Sequence, residues 1–243
     1  MRGRRDGGAA EVADPARGIE LRGVRHAYAE RTVLDDVELT LTEHRVGVIG
    51  ANGSGKSTFA RLLNGLVVPT GGRVRIDGLD TRTSPRAVRR RVGFVFQDPD
   101  AQIVHPTVAE DVAFGLHNLG VPPDERTERV AEVLARYGLA GHADHPAHLL
   151  SGGQKQLLAI AGVLVMRPAR VVFDEPTTLL DLVNARRVRR VIAELAQPVV
   201  VVTHDLELVA DADRVLVLDG GRVVADGPPE QSVRVYRTLM ADR

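Results

Sequence analysis

The chain has 243 residues, of which 44% are hydrophobic, and its 32 basic and 32 acidic side chains leave no net formal charge. This length is sufficient for one domain with a sizeable core, and the balanced charge argues against nucleic-acid binding, which usually depends on a basic field. The absence of cysteine excludes disulfides and thiolate metal sites, and no apolar run approaches the roughly 20 residues of a membrane-spanning helix.

The first part of the chain is predicted to consist mainly of strands. Residues 1–18 are rich in arginine, glycine and alanine without an apolar segment, so we expect a disordered tail rather than a signal peptide. Apolar and polar residues alternate over 19–41, which is typical of antiparallel strands. Ser84 is the expected N-cap of a helix that has Pro85 in its first turn. Other strands are predicted at 45–49, 72–77 and 92–96, and other helical residues at 58–65.

Residues 98–166 are predicted to form a helical insertion in an α/β domain. Thr107 and Glu110 have the spacing of a capping box, as have Ser151 and Gln154. Strands return at 171–173, 199–202, 214–218 and 222–225. Strands separated by helices indicate a parallel α/β core. We therefore expect a single domain over 19–228 and a C-terminal helix or tail over 229–243.

The segment GANGSGKST, residues 50–58, is a phosphate loop. It follows a predicted strand and begins a predicted helix, the context in which such a loop binds a nucleoside triphosphate. Its glycines let backbone N–H groups surround a phosphate, Lys56 supplies a positive charge, and the Ser57 hydroxyl can bind Mg²⁺. The predicted nucleotide-binding residues of the loop are Asn52, Gly53, Ser54, Gly55, Lys56, Ser57 and Thr58.

Polar residues with catalytic potential follow three other predicted strands. Asp174 and Glu175 end the apolar run VVF, and we assign Asp174 to Mg²⁺ and Glu175 to a general base for water. Gln97 follows the strand at 92–96 and can reach Mg²⁺ or the attacking water. His204 follows the strand at 199–202 and can hydrogen-bond to a γ-phosphate.

The run LSGGQ at 150–154 predicts a second phosphate-binding surface at a helix N-terminus. Ser151, Gly152, Gly153 and Gln154 lie about a hundred residues after the phosphate loop. One chain cannot easily fold both surfaces onto one nucleotide, so their combination predicts ATP bound between two subunits. The nearby His142, His145 and His148 have an unfavourable spacing around Pro146, which indicates a solvated loop rather than a metal site.

These motifs, in this order and at these intervals, resemble the ATPase subunit of an ATP-binding-cassette (ABC) protein over about 19–228. The resemblance implies a P-loop NTPase core with a parallel sheet, an N-terminal antiparallel β subdomain and an inserted α-helical subdomain. It implies ATP and Mg²⁺ as cofactors, Tyr28 stacked on adenine, and Asp181 in a loop that contacts the opposite subunit. It further implies a head-to-tail dimer, in which Ser151 and Gly153 of one subunit approach the γ-phosphate held by the other.

A narrower resemblance concerns the transporter subgroup. FQDPDAQIV at 96–104, TVAEDVAFG at 107–115 and the lysine after LSGGQ resemble energy-coupling-factor (ECF) importers of vitamins and metal ions. EPTTLLDL at 175–182 is similar to the biotin-transporter ATPases, with cobalt or nickel import as the near alternative. The implied partners are a second ATPase subunit, a membrane coupling subunit that contacts the region after Gln97, and a substrate-binding membrane subunit, which would place the chain peripherally at the cytoplasmic face.

Several alternatives stay open at this point. A homodimer is favoured, but a heterodimer would use the same surface. A soluble ABC ATPase is disfavoured because the chain has one cassette and no sustained heptads. A module that uses ATP only as a structural ligand is disfavoured by Glu175 and His204, and another ABC importer or an exporter is disfavoured by the residues after Gln97.

Overall fold

A computed structural model describes residues 18–241. The predicted tail over 1–18 therefore lies outside the described residues except for Gly18. In chain order, the helices and strands are β1 (Ile19–Tyr28), β2 (Arg31–Leu41), β3 (Arg45–Gly50), α1 (Lys56–Leu63), β4 (Gly71–Ile76), β5 (Leu79–Asp80), α2 (Pro85–Arg91), β6 (Val92–Val95), α3 (Val108–Asn118), α4 (Pro123–Arg136), α5 (Gly152–Leu164), β7 (Arg170–Asp174), α6 (Leu182–Ala193), β8 (Val199–Val202), β9 (Arg214–Asp219), β10 (Arg222–Gly227) and α7 (Pro229–Ala241).

The larger sheet has six strands in the order β10-β9-β3-β8-β7-β6. All neighbouring strands in it are parallel except β9 and β10, which form an antiparallel pair. This arrangement confirms the predicted parallel α/β core. Because parallel strands end at the same edge, the segments that follow β3, β6, β7 and β8 meet there.

The smaller sheet has four strands in the order β2-β1-β4-β5 and is antiparallel throughout. Strands β1 and β2 form a hairpin in which Tyr28 pairs with Arg31, and Ala29 occupies the turn with a positive φ of 52°. The predicted N-terminal antiparallel region is thus confirmed. The sequence analysis missed β5, which is only two residues long and carries too little pattern to predict.

Helices dominate between β6 and β7, as predicted. Helix α3 begins at a complete capping box: the Glu110 N–H donates to the Thr107 hydroxyl, and the Glu110 carboxylate accepts from the Thr107 N–H. Ser84 does precede α2, but its side chain makes no capping hydrogen bond. Its φ and ψ of −129° and 43° lie outside the extended region from which an N-cap hydroxyl reaches the helix N–H groups.

Two large hydrophobic clusters hold the sheets and most of the helices together, and a smaller third cluster joins α7 to β9. One lies between the two sheets and includes Phe59 of α1, which is fully buried. The other joins α3, α4 and α5 to the larger sheet and includes Phe173 of β7. Helices α1 and α5, which both begin at glycine-rich segments, are thereby fixed to the framework along their apolar faces. Within residues 18–241, no helix is long and apolar enough to cross a bilayer.

Candidate nucleotide-binding site

The phosphate loop connects β3 to α1 at the carboxyl edge of the larger sheet. Gly53 and Gly55 have φ values of 79° and 102°, a region that side-chain-bearing residues avoid. A Cβ on Gly55 would also lie 2.7 Å from the Val33 carbonyl oxygen. The buried Ser54 hydroxyl has no hydrogen-bond partner among the described residues. This loop therefore needs glycine where the backbone turns, and it leaves a buried polar atom for which residues 18–241 supply no partner.

Lys56 is buried at the start of α1. Its Nζ donates to the carbonyl oxygens of Gly50 and Ala51 at 2.9 and 3.1 Å, and it lies 3.7 Å from Glu175 Oε1. The ammonium group is thus held in place between the loop backbone and a carboxylate. A fixed positive charge beside exposed loop N–H groups is suited to phosphate oxygens.

Ser57 and Asp174 bring two oxygen ligands together. The Ser57 hydroxyl donates to Asp174 Oδ1 at 2.9 Å, and Asp174 is almost fully buried at the end of β7. Burial raises the pKa of the Asp174 carboxyl, and the neighbouring Glu175 charge adds to this, while the Ser57 hydrogen bond and the positive charges of Arg61 and Lys56 oppose it. A hydroxyl and a carboxylate at this spacing fit Mg²⁺, which prefers hard oxygen ligands.

Glu175 is fixed by several donors immediately after β7. Its Oε2 accepts from the backbone N–H of His204 at 3.1 Å, from His204 Nδ1 at 2.8 Å and from the Thr178 hydroxyl at 3.1 Å. Its backbone has a φ of 51°, a region that non-glycine residues seldom adopt and that is often found at functional sites. These hydrogen bonds therefore hold the Glu175 carboxylate in a fixed orientation and connect it to the segment that follows β8.

A cleft of about 570 Å³ lies above these residues. Tyr28 stands at its margin with 47% of its surface exposed, and its ring contacts the ring of His26 edge to face at 4.6 Å. The cleft brings together residues from the β1–β2 hairpin, the phosphate loop and the ends of three parallel strands. The predicted site residues that line it are Tyr28, Asn52, Gly53, Gly55, Lys56, Ser57, Thr58, Gln97, Glu175 and His204.

The residues at 151–154 lie apart from this cleft, and none of them is among the described residues that line it. They form the N-terminus of α5, where the Ser151 hydroxyl accepts from the Gln154 N–H and the Gln154 side-chain oxygen accepts from the Ser151 N–H. Ser151 and Gly152 are exposed. The helix N-terminus is thus preformed and open at its surface.

Asp181 occupies a similar position at the start of α6 and is also absent from the cleft lining. Its Oδ1 accepts from the backbone N–H of Asn184 at 2.8 Å, and its Oδ2 accepts from Asn184 Nδ2 at 2.9 Å. These two hydrogen bonds, the backbone one first, lower the pKa of the Asp181 carboxyl. The structure therefore places most of the predicted site residues in the cleft, Ser54 and Asp174 buried beside it, and the others on the two exposed helix N-termini.

Sequence reasoning missed several residues of the site. Thr178 and Arg31 line the cleft, and the Asn184 side chain packs against Gly153, where an added Cβ would lie 2.2 Å from Asn184 Cγ. His142 Nε2 lies 3.1 Å from Gln154 Nε2, within a loop that contains a short 3₁₀ turn. Among these residues, only Asn184 could have been predicted from the local sequence, because a side chain three residues after an N-cap lies next to that cap.

The fold and the cleft define a P-loop nucleotide-binding protein with an ATPase architecture. A family model described as ABC transporter matches residues 34–178, a span from β2 of the smaller sheet to the turn that follows β7. The chain therefore belongs to the ABC transporter family, and it is an ATPase of that family.

Three relatives illustrate the similarity. The chain is 63% identical over 222 residues to an ABC transporter ATP-binding protein of Deinococcus radiodurans, covering 91% of this chain and 98% of the relative. It is 46% identical over 223 residues to the biotin transport ATP-binding protein BioM of Rhizobium etli, covering 92% and 99%. It is also 46% identical over 220 residues to the cobalt import ATP-binding protein CbiO of Syntrophus aciditrophicus, covering 87% and 79%.

Two solved structures show the same fold. The cbiO1 protein of Clostridium perfringens, part of the ABC transporter complex cbiONQ, aligns with a TM-score of 0.79 at 33% identity, covering 92% of this chain and 93% of that one. A dimeric ATP-binding cassette in a post-hydrolysis state, bound to ADP and phosphate, aligns with a TM-score of 0.77 at 31% identity, covering 87% and 98%.

Proposed function

We propose that two ATPase subunits, in the simplest case two copies of this chain, hydrolyse ATP at a head-to-tail interface. The observation that carries this proposal is the separation of two phosphate-binding surfaces, the cleft around Lys56 and the exposed N-terminus of α5 at Ser151. Each surface would complete the other subunit's site. The dimeric cassette bound to ADP and phosphate supports this arrangement.

In this proposal the cleft binds ATP through the phosphate loop. The loop N–H groups and Lys56 hold the phosphates, and the Ser54 hydroxyl, which is buried without a partner in the described chain, can donate to one of them. Tyr28 stacks on the adenine from the margin of the cleft. Ser151 and Gly153 of the other subunit approach the γ-phosphate with the positive end of the α5 dipole. Asp181 contacts the opposite subunit.

Ser57, Asp174 and Gln97 are the residues that would hold Mg²⁺. When bound there, the ion would neutralise charge that develops on the phosphate oxygens. The chain's own contribution is to keep two oxygen ligands together, since Ser57 and Asp174 are already hydrogen-bonded at 2.9 Å. Gln97 faces the cleft from the end of β6 and adds a neutral amide oxygen.

Glu175 is the proposed general base. Its carboxylate takes a proton from the attacking water, while the N–H and Nδ1 of His204 and the Thr178 hydroxyl hold the other oxygen in position. His204 therefore acts through Glu175 in this geometry, in addition to the contact with the γ-phosphate expected from the sequence.

We further propose that the ATPase drives an ECF-type importer, with biotin as the solute, from the cytoplasmic face of the membrane. The motifs around Gln97 and the biotin transport relative support this. The cobalt import relative has the same 46% identity, so cobalt or nickel import is the second candidate. A membrane coupling subunit and a substrate-binding membrane subunit would complete the complex.

The proposed contact with the coupling subunit lies on the segment after Gln97 and on α3. Val104 is 64% exposed, and Phe114 of α3 is also exposed, with its ring 4.8 Å from that of His105. Ile103, in contrast, packs against the helical core. A test of the contact should therefore change Val104 and leave Ile103 intact.

Affinity copurification from membranes of the native host tests the proposal, with partners and bound solute identified by mass spectrometry. A membrane coupling subunit and a biotin-binding membrane protein are the expected partners, and a metal-binding partner would favour cobalt or nickel instead. Val104→Asp should abolish the copurification, whereas Val224→Asp, at an exposed valine of β10, should not. An ATP-hydrolysing preparation without membrane partners would overturn the transporter assignment.

A further inference from the structure

The loop before α5 carries three histidines, which differ in exposure. His145 and His148 are exposed, whereas His142 is half-buried. Nε2 of His142 lies 3.1 Å from Nε2 of Gln154, in the first turn of α5. The backbone of His142 is fixed as well, because its N–H donates to the Leu139 carbonyl oxygen and its carbonyl oxygen accepts from the His145 N–H, both at 2.9 Å. The His142 ring is therefore held beside the side chain of Gln154.

The hydrogen bonds of Gln154 fix which way its amide faces. Gln154 Oε1 accepts from the Ser151 N–H at 2.9 Å, and a backbone N–H needs an acceptor opposite it. The nitrogen of the same amide must therefore point the other way, toward His142. An amide NH₂ group acts only as a donor. Nε2 of His142 is consequently the acceptor in this contact.

The contact with Gln154 also determines where the His142 ring carries its proton. A ring nitrogen accepts a hydrogen bond only when it is unprotonated, so the ring must be neutral with its proton on Nδ1. Nδ1 is buried and has no hydrogen-bond partner within residues 18–241, so Gln154 is the contact that selects this tautomer. A proton on Nε2 would instead place two donors 3.1 Å apart.

The same amide closes the capping box that presents Ser151. The Ser151 hydroxyl accepts from the Gln154 N–H at 3.3 Å, while Gln154 Oε1 accepts from the Ser151 N–H. If the amide turned by half a rotation, its NH₂ group would face the Ser151 N–H, and the box would lose one of its two hydrogen bonds. An acceptor at His142 therefore favours the closed box, because it bonds to the amide only in the orientation that the box requires.

We propose that neutral His142, protonated at Nδ1, is a positioning residue for ATP binding between the subunits. It fixes the Gln154 amide and thereby keeps Ser151 in the arrangement that receives the other subunit's γ-phosphate. This role rests on the proposed head-to-tail site, whereas the tautomer of His142 can be measured in a single subunit. His142 is not among the described residues that line the cleft. Loss of its acceptor should therefore raise the ATP concentration for half-maximal activity and change the rate at saturating ATP little.

NMR of the chain with ¹⁵N-labelled histidine rings tests the tautomer, without nucleotide and at about pH 8, where an ordinary imidazole is neutral. His142, assigned by the signal that His142→Gln removes, should be protonated at Nδ1. Gln154→Glu places a carboxylate oxygen opposite Nε2, so the proton of His142 should move to Nε2. His44 is the internal control: its Nε2 lies 2.9 Å from the Ala196 carbonyl oxygen and should be protonated in both chains. An Nε2 proton on His142 in the unchanged chain, or no response to Gln154→Glu, would overturn the proposal.

Three substitutions of His142 separate its hydrogen bond from its packing. Glutamine carries its amide near the place of Nε2, asparagine carries it near the place of Nδ1, and phenylalanine keeps a ring without an acceptor. In steady-state phosphate release, His142→Gln should leave the half-maximal ATP concentration nearly unchanged. His142→Asn and His142→Phe should raise it by about threefold to tenfold, the factor that one ordinary hydrogen bond supplies. His44→Gln is the matched control, because His44 precedes β3 at the edge of the sheet opposite the phosphate loop, and it should leave the ATP requirement unchanged.

The outcomes distinguish the role of His142 from the site that it serves. Equal ATP requirements in the glutamine, asparagine and phenylalanine variants would show that His142 only packs, and would overturn the proposal while leaving the head-to-tail site intact. Light scattering of a Glu175→Gln chain with ATP tests the dimer separately. If no dimer forms, the head-to-tail site is overturned and the role of His142 in ATP binding with it, whichever tautomer the ring has.

Discussion

Replacement of Glu175 by glutamine should separate ATP binding from hydrolysis. The amide has nearly the same shape, so the phosphate loop, Ser57 and Asp174 keep their positions, but it cannot accept a proton from water. Positioned general bases contribute about 10²–10⁴-fold to rates. We therefore expect ATPase activity to fall by about this factor while the ATP-bound dimer accumulates.

The structure also gives the stability cost of this change. One oxygen of Glu175 receives three donors, so the glutamine must place its Oε1 there and turn its Nε2 toward Lys56, whose Nζ lies 3.7 Å from the present carboxylate. Lys56 keeps two carbonyl acceptors. The loss should therefore be about 1–3 kcal/mol, rather than the roughly 3–5 kcal/mol of a buried charge left without any partner.

Three measurements test the parts of this prediction: steady-state phosphate release, light scattering with ATP, and a thermal melt without nucleotide. For a chain of this size, each kcal/mol should lower the midpoint by about 2–4 °C. Glu207→Gln, at an exposed carboxylate outside the cleft, is the control and should keep its hydrolysis rate. A Glu175→Gln chain that retains more than about a tenth of the rate would refute the assignment of the base, because a lost general base costs at least about a hundredfold.

Two further changes test neighbouring parts of the site. Burial raises the pKa of the Asp174 carboxyl, so the folded chain binds this proton more tightly than the unfolded chain, and stability falls as pH rises from the unfolded pKa to the folded pKa. Asp174→Asn, which still accepts from Ser57, should therefore raise the thermal midpoint at pH 7 and abolish Mg²⁺-dependent hydrolysis. A lowered midpoint would contradict this reasoning. Gly153→Ala should lower the free energy of unfolding by about 1–3 kcal/mol, because the added Cβ clashes with Asn184, and it should lower ATPase activity at least about tenfold. Adding Asn184→Gly to this variant should recover part of the stability in thermal melts and part of the rate in ATPase assays.

Much of the site was predictable because its residues belong to contiguous motifs. The phosphate loop, the acids at the end of β7 and the capping box at Ser151 each act through backbone geometry within a few residues. The alternation of strands and helices then indicated the parallel sheet, which brings the ends of β3, β6, β7 and β8 to one edge. The positions of the phosphate loop after β3 and of the acids at the end of β7 therefore placed both motifs at the cleft, whereas the Ser151 motif begins α5 and lies apart from it.

The contacts between distant segments were not predictable in this way. His204 bonds to Glu175 across 29 positions, Gln102 to Ala159 across 57, and Lys155 to Asp100 across 55. No periodicity or cap connects such residues, because their distance is set by how α5 and the strands pack. For the same reason, the expectation that His204 contacts a phosphate could not include its hydrogen bond with Glu175.

The same N-cap hydrogen bond organises both exposed helix N-termini of the proposed dimer surface. Ser151 and Asp181 are both N-caps whose side chains accept from an N–H three residues later. Asn184 joins them, since it donates to Asp181 while its amide packs against Gly153. A subunit that meets its partner with preformed caps loses less conformational entropy on association. In the proposed dimer, the packing of Asn184 on Gly153 would let both termini approach the other subunit's cleft as one rigid surface.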